Sequence, residues 1–373
     1  MNILCLDQFG ELGGAQRCLL DLIPAMTGRG WSVHLAAPST GQLTGRAAAL
    51  GATVDPIRCG LYSSGRKTLA DMARFAVEAP RLAGEIRGLV WRYDAGLIYL
   101  NGPRLLPAAA LAARQGPPVL FHAHSLLSGL ALRVAGRSLA WLRAAMVASC
   151  RFVAAPLLPY SGDRGIRVVY NGVRQIPLPS CPPAPREARI GIIGRISPEK
   201  GQADFLHAAH ILYDMTEQCR FVVCGAPLFS DTGAMRYCAD LEALAEGLPV
   251  EFAGWTEDVE SVLATLDLLV VPSAAIDATP RVILEAFAAG VPVVAFTSGG
   301  IPEIVEHGVT GFLVEEPSPE ALAFAIRDLL REPGRLREAA ERARAKARTE
   351  YSLERYRAEM VDTIEAVVRA GCQ

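Results

Sequence analysis

The chain has 373 residues, of which 51% are hydrophobic and 20% are charged, and its formal net charge is −2. This length and apolar content suffice for two domains with separate cores. No 18-residue apolar stretch is free of charge, and the first residues lack the basic flank of a signal peptide, which argues against a membrane-spanning or secreted chain. Nine scattered cysteines without a CxxC pair are typical of reduced thiols in a cytosolic protein.

The charge is distributed unevenly. Residues 1–180 contain 19 Lys and Arg against 9 Asp and Glu, for a net charge of +10, and the remainder carries −12. A basic half favours an anionic partner such as a phospholipid surface or a phosphorylated acceptor, although a solvated basic face explains it as well. Nucleic acid is disfavoured because the basic residues are dispersed and lack interleaved aromatic residues.

Short apolar runs alternate with helical patterns in the first half of the chain. The runs are NILCLD, VHLAAP, GLIYLN, PVLFHAH, FVAAP and RVVYNG. This alternation predicts an α/β domain with a parallel sheet over residues 1–175. The proline-rich stretch QIPLPSCPPAPREA then predicts a linker over residues 176–187.

The same rhythm restarts after the linker with ARIGIIGRIS, RFVVCGA, VEFAG, LLVVPS, PVVAF and GFLVE. It predicts a second doubly wound α/β domain over residues 188–350. A charged helical tail follows, broken near Tyr351, and its last helix is long enough to cross between two domains. Ligands of such sheets lie beyond the carboxyl ends of the strands, so the loops there are the candidate sites.

The loop GRISPEKG follows the first strand of the second domain. Arg195 and Lys200 bracket a turn that leads into a helix, so two cations and a helix N-terminus converge on one place for an anion. The only other lysines are Lys67 and Lys346, against 34 arginines. An exposed loop with incidental charges is the alternative.

Two further loops belong to the same predicted sheet edge. In DATPRVILEAFAAG, Thr279 is placed to cap a helix in which Glu285 is the only residue from position 282 to 289 that is not apolar. A buried carboxylate needs donors, which belong either to the protein, as a salt bridge, or to a ligand. Asp277 precedes this helix, and Gly299 and Gly300 in TSGGIPEIV precede another, where backbone N–H groups face oxygen ligands.

In the first domain, the loop GELGGAQR offers Gly13 and Gly14 before a helix. It does not fit GxGxxG, and the chain has no GxxxxGK[ST], which argues against a dinucleotide dehydrogenase and a P-loop ATPase. His122 and His124 in FHAHS end a predicted strand on the same face. A hydrogen-bonded rim or core role is the alternative to a functional one.

These motifs together resemble glycosyltransferase family 4, the retaining enzymes that use nucleotide sugars. The family's E-x7-E element is seen here as D-x7-E in DATPRVILEAFAAG, and GGIPEIVEHGVTGFLV, GGAQR, the strand-end histidine and NGV are also similar to the family. The resemblance implies a GT-B fold, with two Rossmann-like domains, an interdomain cleft, and a helix over residues 351–373 that packs back toward the N-terminal domain.

The resemblance also implies roles on the donor side. Arg195 and Lys200 would bind the donor diphosphate, whose developing charge fixed cations stabilise without a metal. Glu285 would accept hydrogen bonds from the ribose hydroxyls, and Asp277 would bind hydroxyls of the transferred sugar. Asp277 departs from the family's usual glutamate and is one methylene shorter, which implies altered sugar contacts.

The remaining expected site residues are one histidine and four glycines. His124 would lie over the sugar near the reacting centre, and Gly13 and Gly14 would line the cleft opposite the phosphates. Gly299 and Gly300 complete the expected donor site. We expect no metal site and no cofactor beyond the UDP- or GDP-linked sugar, since the chain has no D-x-D pair.

The implied activity is transfer of a hexose-type sugar to a hydroxyl acceptor in cell-envelope, polysaccharide or glycolipid biosynthesis. A nucleotide-sugar epimerase of the same fold and a non-catalytic nucleotide-sugar-binding protein are the alternatives. We expect a cytoplasmic protein, with a lipid-linked acceptor and a peripheral membrane contact as one option. In ALRVAGRSLAWLRAAMVASCRF, arginines punctuate apolar residues including Trp141, which fits an amphipathic membrane surface and a helix packed on its own sheet equally well.

Overall fold

The computed structural model of the protein describes residues 1–59, 69–113, 116–177, 187–216, 219–227, 232–273 and 277–371. The chain divides into two compact units. Unit 1 comprises Met1–Asn171 with Tyr356–Gln373, and unit 2 comprises Gly172–Arg355. Unit 1 therefore ends its first segment four residues before the expected boundary at 175. Most of the expected linker, residues 178–186, lies outside the described residues.

Unit 1 is built on a parallel sheet that has seven strands among the described residues. They are β1 Asn2–Leu6, β2 Ser32–Ala37, β3 Thr53–Pro56, β4 Leu97–Leu100, β5 Val119–Ala123, β6 Ala145–Ala148 and β7 Arg167–Val168. Their order is β3-β2-β1-β4-β5-β6-β7, so the strand order reverses between β1 and β4. All residues of β4 and β5 are buried, which explains why they are continuous apolar runs in the sequence.

Helices follow most of these strands. They are α1 Gly14–Gly28, α2 Leu43–Ala49, α3 Leu69–Arg92, α4 Leu106–Ala112, α5 Gly129–Leu142 and α6 Arg151–Ala154. The segment FVAAP, predicted as a strand, is instead the end of α6 and the start of a 3-10 turn over Ala155–Tyr160. The strand of this region is AMVA just before it, which forms β6, and the strand β3 was not predicted.

Unit 2 repeats the plan with a parallel sheet of six strands within the described ranges. They are β8 Ala188–Ile193, β9 Cys219–Cys224, β10 Val250–Gly254, β11 Leu268–Val271, β12 Val293–Phe296 and β13 Phe312–Val314. The order is β10-β9-β8-β11-β12-β13, and it reverses between β8 and β11. All six had been predicted.

The helices of unit 2 are α7 Gln202–Thr216, α8 Thr232–Leu244, α9 Val259–Leu263, α10 Arg281–Ala289, α11 Ile301–Ile304, α12 Pro319–Leu330 and α13 Pro333–Thr349. Phe205 of α7 packs edge-on against Phe221 of β9 in a core that also buries Phe296. Each fully buried side chain of this size contributes roughly 1.5–3 kcal/mol to stability.

The last helix, α14 Leu353–Gly371, returns the chain to unit 1. Tyr356 is fully buried there, and its hydroxyl donates to the carbonyl of Cys18 on α1 at 3.2 Å. Arg357 donates to the carbonyl of Asp21 at 2.7 Å. The break before this helix lies at residues 350–352, where the sequence places it. No helix in the described part of the chain is long and apolar enough to cross a membrane.

Candidate functional site

The loop after β8 carries both predicted cations of unit 2. Arg195 forms an ion pair with Glu199 at 2.5 Å, and its carbonyl accepts a hydrogen bond from Gln202 Nε2 at 2.8 Å. A 3-10 turn over Pro198–Lys200 ends at Gly201, whose φ is +75°. A Cβ on Gly201 would lie 1.9 Å from the carbonyl oxygen of Pro272, so glycine is required for this loop to touch the end of β11.

Lys200 contacts the predicted acid of the neighbouring loop. Its Nζ lies 2.5 Å from Asp277 Oδ2, and the same oxygen accepts from the buried Ser273 hydroxyl at 3.0 Å. The side chains of Lys200 and Asp277 are 29% and 16% exposed, so the pair is partly open to solvent. The short side chain of Asp277 therefore reaches the lysine directly, with Ser273 fixing its direction.

The Gly299–Gly300 turn packs against the backbone of Asp277. The Gly300 N–H donates to the Asp277 carbonyl at 2.9 Å. Gly299 has φ +56°, and a Cβ there would lie 1.9 Å from the same oxygen. The sequence interpretation, in which this N–H faces a ligand, is therefore wrong for Gly300, because its N–H is engaged within the protein. The turn instead holds the backbone of Asp277 in place through this hydrogen bond.

Glu285 finds a partner on its own helix. Arg281 Nε lies 3.0 Å from Glu285 Oε1, one turn earlier on α10, with side chains 15% and 18% exposed. The helix begins at Arg281 with Pro280 at the N-cap, one residue later than predicted from Thr279. The expectation that a ligand supplies the donors for Glu285 is thus corrected in part, because the protein supplies one of them.

All of these groups lie at the carboxyl edge of β8, β11 and β12, where the strand order of unit 2 reverses. This is the position at which open α/β sheets bind ligands. The described residues of this edge form three ion pairs: Arg195 with Glu199, Lys200 with Asp277, and Arg281 with Glu285. The edge suits an anion with attached hydroxyl groups.

The equivalent edge of unit 1 is organised by an acid that sequence reasoning missed. Asp7 follows β1, is fully buried, and accepts from Gln16 Nε2 at 2.9 and 3.1 Å and from the Phe9 N–H at 2.9 Å. Gln16 Oε1 in turn accepts from the Gly13 N–H at 3.1 Å. Burial raises the pKa of Asp7 to about 6, although the hydrogen bonds that it accepts lower the pKa in part. Gly14, the first residue of α1, faces open space.

His122 in β5 and His124 just after it lie side by side, as predicted, with ring centroids 3.8 Å apart. His122 Nδ1 is 2.6 Å from the Tyr99 hydroxyl, and His124 Nε2 is 2.9 Å from Asn101 Oδ1. Burial lowers the pKa of His124 to about 3, and it lowers the pKa of His122 well below its usual value, with the neighbouring His124 adding to that shift. Both rings are therefore neutral at physiological pH.

Asn101 links this histidine to the acid. Its Nδ2 donates to Asp7 Oδ2 at 2.6 Å. His124 and Gly13, both predicted site residues, are thus joined through Asn101, Asp7 and Gln16. A signal for the missed residues exists in the sequence: Asp7 directly follows ILCL and Asn101 directly follows LIYL, at the same strand ends that directed attention to the histidines.

Comparison with known proteins adds independent findings. A family model described as Glycosyl transferases group 1 matches residues 182–349, and one described as Glycosyltransferase Family 4 matches residues 12–175. The D-inositol 3-phosphate glycosyltransferase of Mycobacterium sp. (strain KMS) is 36% identical over 160 residues, which are 42% of this chain and 35% of that protein. The enzyme of the same name from Corynebacterium glutamicum (strain R) is 32% identical over 145 residues, or 38% and 34% of the two chains. The chain therefore spans about a third of the length of these relatives.

Solved structures match over nearly the entire chain. HepE of Anabaena in complex with UDP-glucose has a TM-score of 0.82 and 25% identity, with 98% of this chain and 100% of that chain covered. Sucrose-phosphate synthase from Thermosynechococcus elongatus has a TM-score of 0.81 and 19% identity, with coverage of 99% and 100%.

Proposed function

Because this chain belongs to the family 4 glycosyltransferases, we propose that it transfers a hexose from a nucleoside diphosphate sugar to a hydroxyl acceptor with retention of configuration. Its two parallel-sheet units form the GT-B fold. The observation that carries the proposal is the contact of Lys200 with Asp277, beside Arg195, at the strand-order reversal of unit 2. A cation for phosphate and a carboxylate for sugar hydroxyls stand next to each other there.

The proposed donor site uses the described side chains as follows. Arg195 and Lys200 bind the diphosphate and stabilise the charge that develops as it leaves, so that no metal ion is needed. Asp277 accepts hydrogen bonds from the sugar, and Glu285 accepts them from the ribose through Oε2, while Arg281 holds Oε1. The UDP-glucose bound to HepE supports this class of donor. UDP and GDP are the expected nucleotides.

The proposed reaction is a displacement on one face of the sugar. The bond from the anomeric carbon to the diphosphate breaks, the bond to the acceptor oxygen forms, and the hydroxyl proton passes to the departing phosphate oxygen. His124 lies over the sugar as a neutral hydrogen-bonding group, since burial lowers its pKa to about 3. Gly14 faces open space in the loop after β1, where we propose that it and Gly13 line the side of the cleft opposite the phosphates. A trapped glycosyl adduct on Asp277 would overturn this mechanism.

Thermal stabilisation by nucleotides tests the donor site. We expect one of UDP and GDP, but neither ADP, CMP nor NAD, to raise the melting temperature, since a ligand at a hundredfold excess over its Kd stabilises the fold by about 2.7 kcal/mol. The shift should diminish in Glu285→Ala. The 2′-deoxy nucleotide should bind wild type and this variant about equally weakly. Stabilisation by NAD alone, or conversion of the sugar nucleotide to an isomer without acceptor, would refute the proposed function.

We further propose that the acceptor is a lipid-linked saccharide or glycolipid of the cell envelope, used by a cytoplasmic enzyme at the membrane surface. The outer face of α5 supports this: Leu130, Val134 and Trp141 are exposed beside Arg133 and Arg137. The sequence has no acidic residue between positions 94 and 163, and six arginines. Apolar and cationic groups on one face suit an anionic bilayer.

Vesicle binding tests the membrane surface. We expect sedimentation with phosphatidylglycerol vesicles, weaker binding at high salt, and none with phosphatidylcholine alone. Trp141→Ala should reduce binding. Trp91→Ala is the matched control, because Trp91 is 88% exposed on α3, a different helix of the same unit. Equal effects of the two substitutions, or binding indifferent to salt, would contradict a specific role for α5.

A further inference from the structure

The buried network of unit 1 fixes the orientation of one amide. Asn101 Nδ2 donates to Asp7 Oδ2 at 2.6 Å and to the carbonyl of Ala15 at 3.1 Å. A carbonyl oxygen accepts only, whatever the protonation state of Asp7. The Nδ2 group of Asn101 must therefore point toward Ala15 and Asp7, and reversing the amide would set an oxygen against both acceptors.

This orientation decides where the proton of His124 resides. With Nδ2 directed to Ala15, Asn101 Oδ1 is the atom that lies 2.9 Å from His124 Nε2. An amide oxygen accepts only, so the imidazole must donate from Nε2. In a neutral ring the other nitrogen, Nδ1, then carries the lone pair.

Asp7, the acid that accepts from the Asn101 amide, is held rigidly. Asp7 is fully buried, and it receives bonds from Gln16, Asn101 and the Phe9 N–H. Gln16 and Asn101 are themselves only 4% and 3% exposed. Since Gln16 also binds the Gly13 N–H, the same carboxylate holds both the glycine loop after β1 and the amide that faces the histidine.

From this geometry we infer that Asp7, Gln16 and Asn101 are positioning residues that hold His124 as the neutral Nε2–H tautomer and make Nδ1 its acceptor atom. If the proposed function holds, Nδ1 of His124 accepts a hydrogen bond from a hydroxyl group of the sugar or of the acceptor. His124 then acts neither as a cation beside the phosphates nor as a donor toward the substrate.

Nitrogen NMR of the intact protein labelled with ¹⁵N-histidine reads the tautomer directly. Six histidines give six ring patterns, and His124→Gln identifies the one of interest. At pH 7.5 we expect His124 Nε2 to show the protonated-nitrogen shift and Nδ1 the lone-pair shift. An imidazolium pattern, an Nδ1–H pattern or an equal mixture in the wild-type protein would overturn the inference without any variant.

Substitutions then test the chain of residues. Asn101→Ala should convert the pattern to a tautomer mixture, whereas Asp7→Asn should keep the Nε2–H pattern, because the Ala15 carbonyl still orients the Asn101 amide and the new side chain keeps an accepting oxygen. Asn171→Ala is the matched control, a buried asparagine of unit 1 that bonds Cys18 and should leave the pattern unchanged. An unaltered tautomer in a folded Asn101→Ala protein would refute the role of Asn101.

Kinetics separates this inference from the proposed function. Asn101→Ala should lower kcat about tenfold or more while leaving the affinity for the nucleoside diphosphate unchanged, because that site lies in unit 2. A correct tautomer without sugar transfer would refute the proposed activity and leave the positioning role intact. Transfer with the wrong tautomer would do the reverse.

Discussion

The two strand-order reversals of this chain have similar topology and opposite electrostatic designs. In unit 2 the functional groups are partly exposed and are held in ion pairs, as in Arg195 with Glu199 and Lys200 with Asp277. In unit 1 one buried carboxylate anchors neutral amides and a neutral histidine. Exposed ion pairs contribute little to stability and exchange partners readily, whereas a buried hydrogen-bonded network is rigid. We call the first the charged edge, with Arg195, Lys200 and Asp277, and the second the neutral edge, with Asn101 and His124 around Asp7. The difference teaches that the ion pairs of the charged edge can exchange partners when an anion binds, while the neutral edge is preorganised.

The largest expected effect tests whether the charged edge is an anion site. Lys200→Ala should lower kcat/KM about 100- to 1000-fold, as for other preorganised groups that stabilise a developing charge. Steady-state kinetics with the sugar nucleotide found by the thermal screen measures this. Lys346→Ala is the control, since Lys346 also pairs with a carboxylate, that of Glu350 at 4.0 Å, but lies far along the chain on α13. An equal loss of kcat/KM in both variants would show that Lys200 has no specific role and that the charged edge is not an anion site.

A backbone substitution tests how rigidly the charged edge is supported. Gly299→Ala should destabilise unit 2 by about 3 kcal/mol, because it adds a Cβ 1.9 Å from the Asp277 carbonyl to the strain of a positive φ. Gly308→Ala isolates the strain, with φ +74° and nothing within 4 Å, and should cost only about 1 kcal/mol. Urea unfolding, followed by the fluorescence of Trp255 after the three tryptophans of unit 1 are replaced by phenylalanine, compares them. Similar midpoints would mean that the close approach relaxes without cost.

At the neutral edge, His124 makes the free energy of unfolding fall as the pH falls, which is the opposite of what a histidine paired with an acid would do. Because the pKa of His124 is lowered to about 3, the unfolded chain binds its proton first as the pH falls below about 6.5, and stability is lost from there toward pH 3. Between pH 7.5 and 5, wild type should lose about 1–2 kcal/mol more than His124→Gln. Urea unfolding followed by fluorescence reports this mainly for unit 1, which holds three of the four tryptophans. Parallel curves would show that the histidine is not held neutral.

The smallest expected effect concerns the hydroxyl that directs Asp277. Ser273→Ala removes one hydrogen bond, worth about 1 kcal/mol, so the sugar nucleotide should bind roughly fivefold more weakly. The nucleoside diphosphate, which lacks the sugar, should bind as before. Calorimetric titrations of both ligands give this difference. Ser261→Ala is the matched control, because Ser261 also bonds an aspartate, Asp258, but on the exposed α9. Equal weakening of both ligands would place Asp277 at the phosphates.

Much of the architecture could be predicted from the sequence, because buried parallel strands leave continuous apolar runs. The exceptions are instructive. The run FVAAP has strand-like composition but begins right after β6, and tertiary context makes it helical. The strand β3 has only four residues, ends in proline and is partly exposed, so it lacks the apolar signal.

The charged edge was also readable from sequence, since glycine-rich turns and a rare lysine follow strands. The partner of Glu285 was readable too, because Arg281 precedes it by one helical turn, a spacing that predicts an ion pair. The neutral edge was not. Asp7 and Asn101 are 94 positions apart, and no local pattern predicts a hydrogen bond between them.

The return of α14 to unit 1 has a consequence for biosynthesis. The sequence of unit 2 lies inside that of unit 1, so a ribosome that has completed Asn171 has not yet made Tyr356, whose buried ring closes against α1. At about 5–20 residues per second, translation leaves this gap open for about 10–40 s. Unit 2 is thus the first part of the nascent chain to be released whole, and unit 1 waits for it. Chaperone capture during synthesis should accordingly concentrate on the uncovered face of α1.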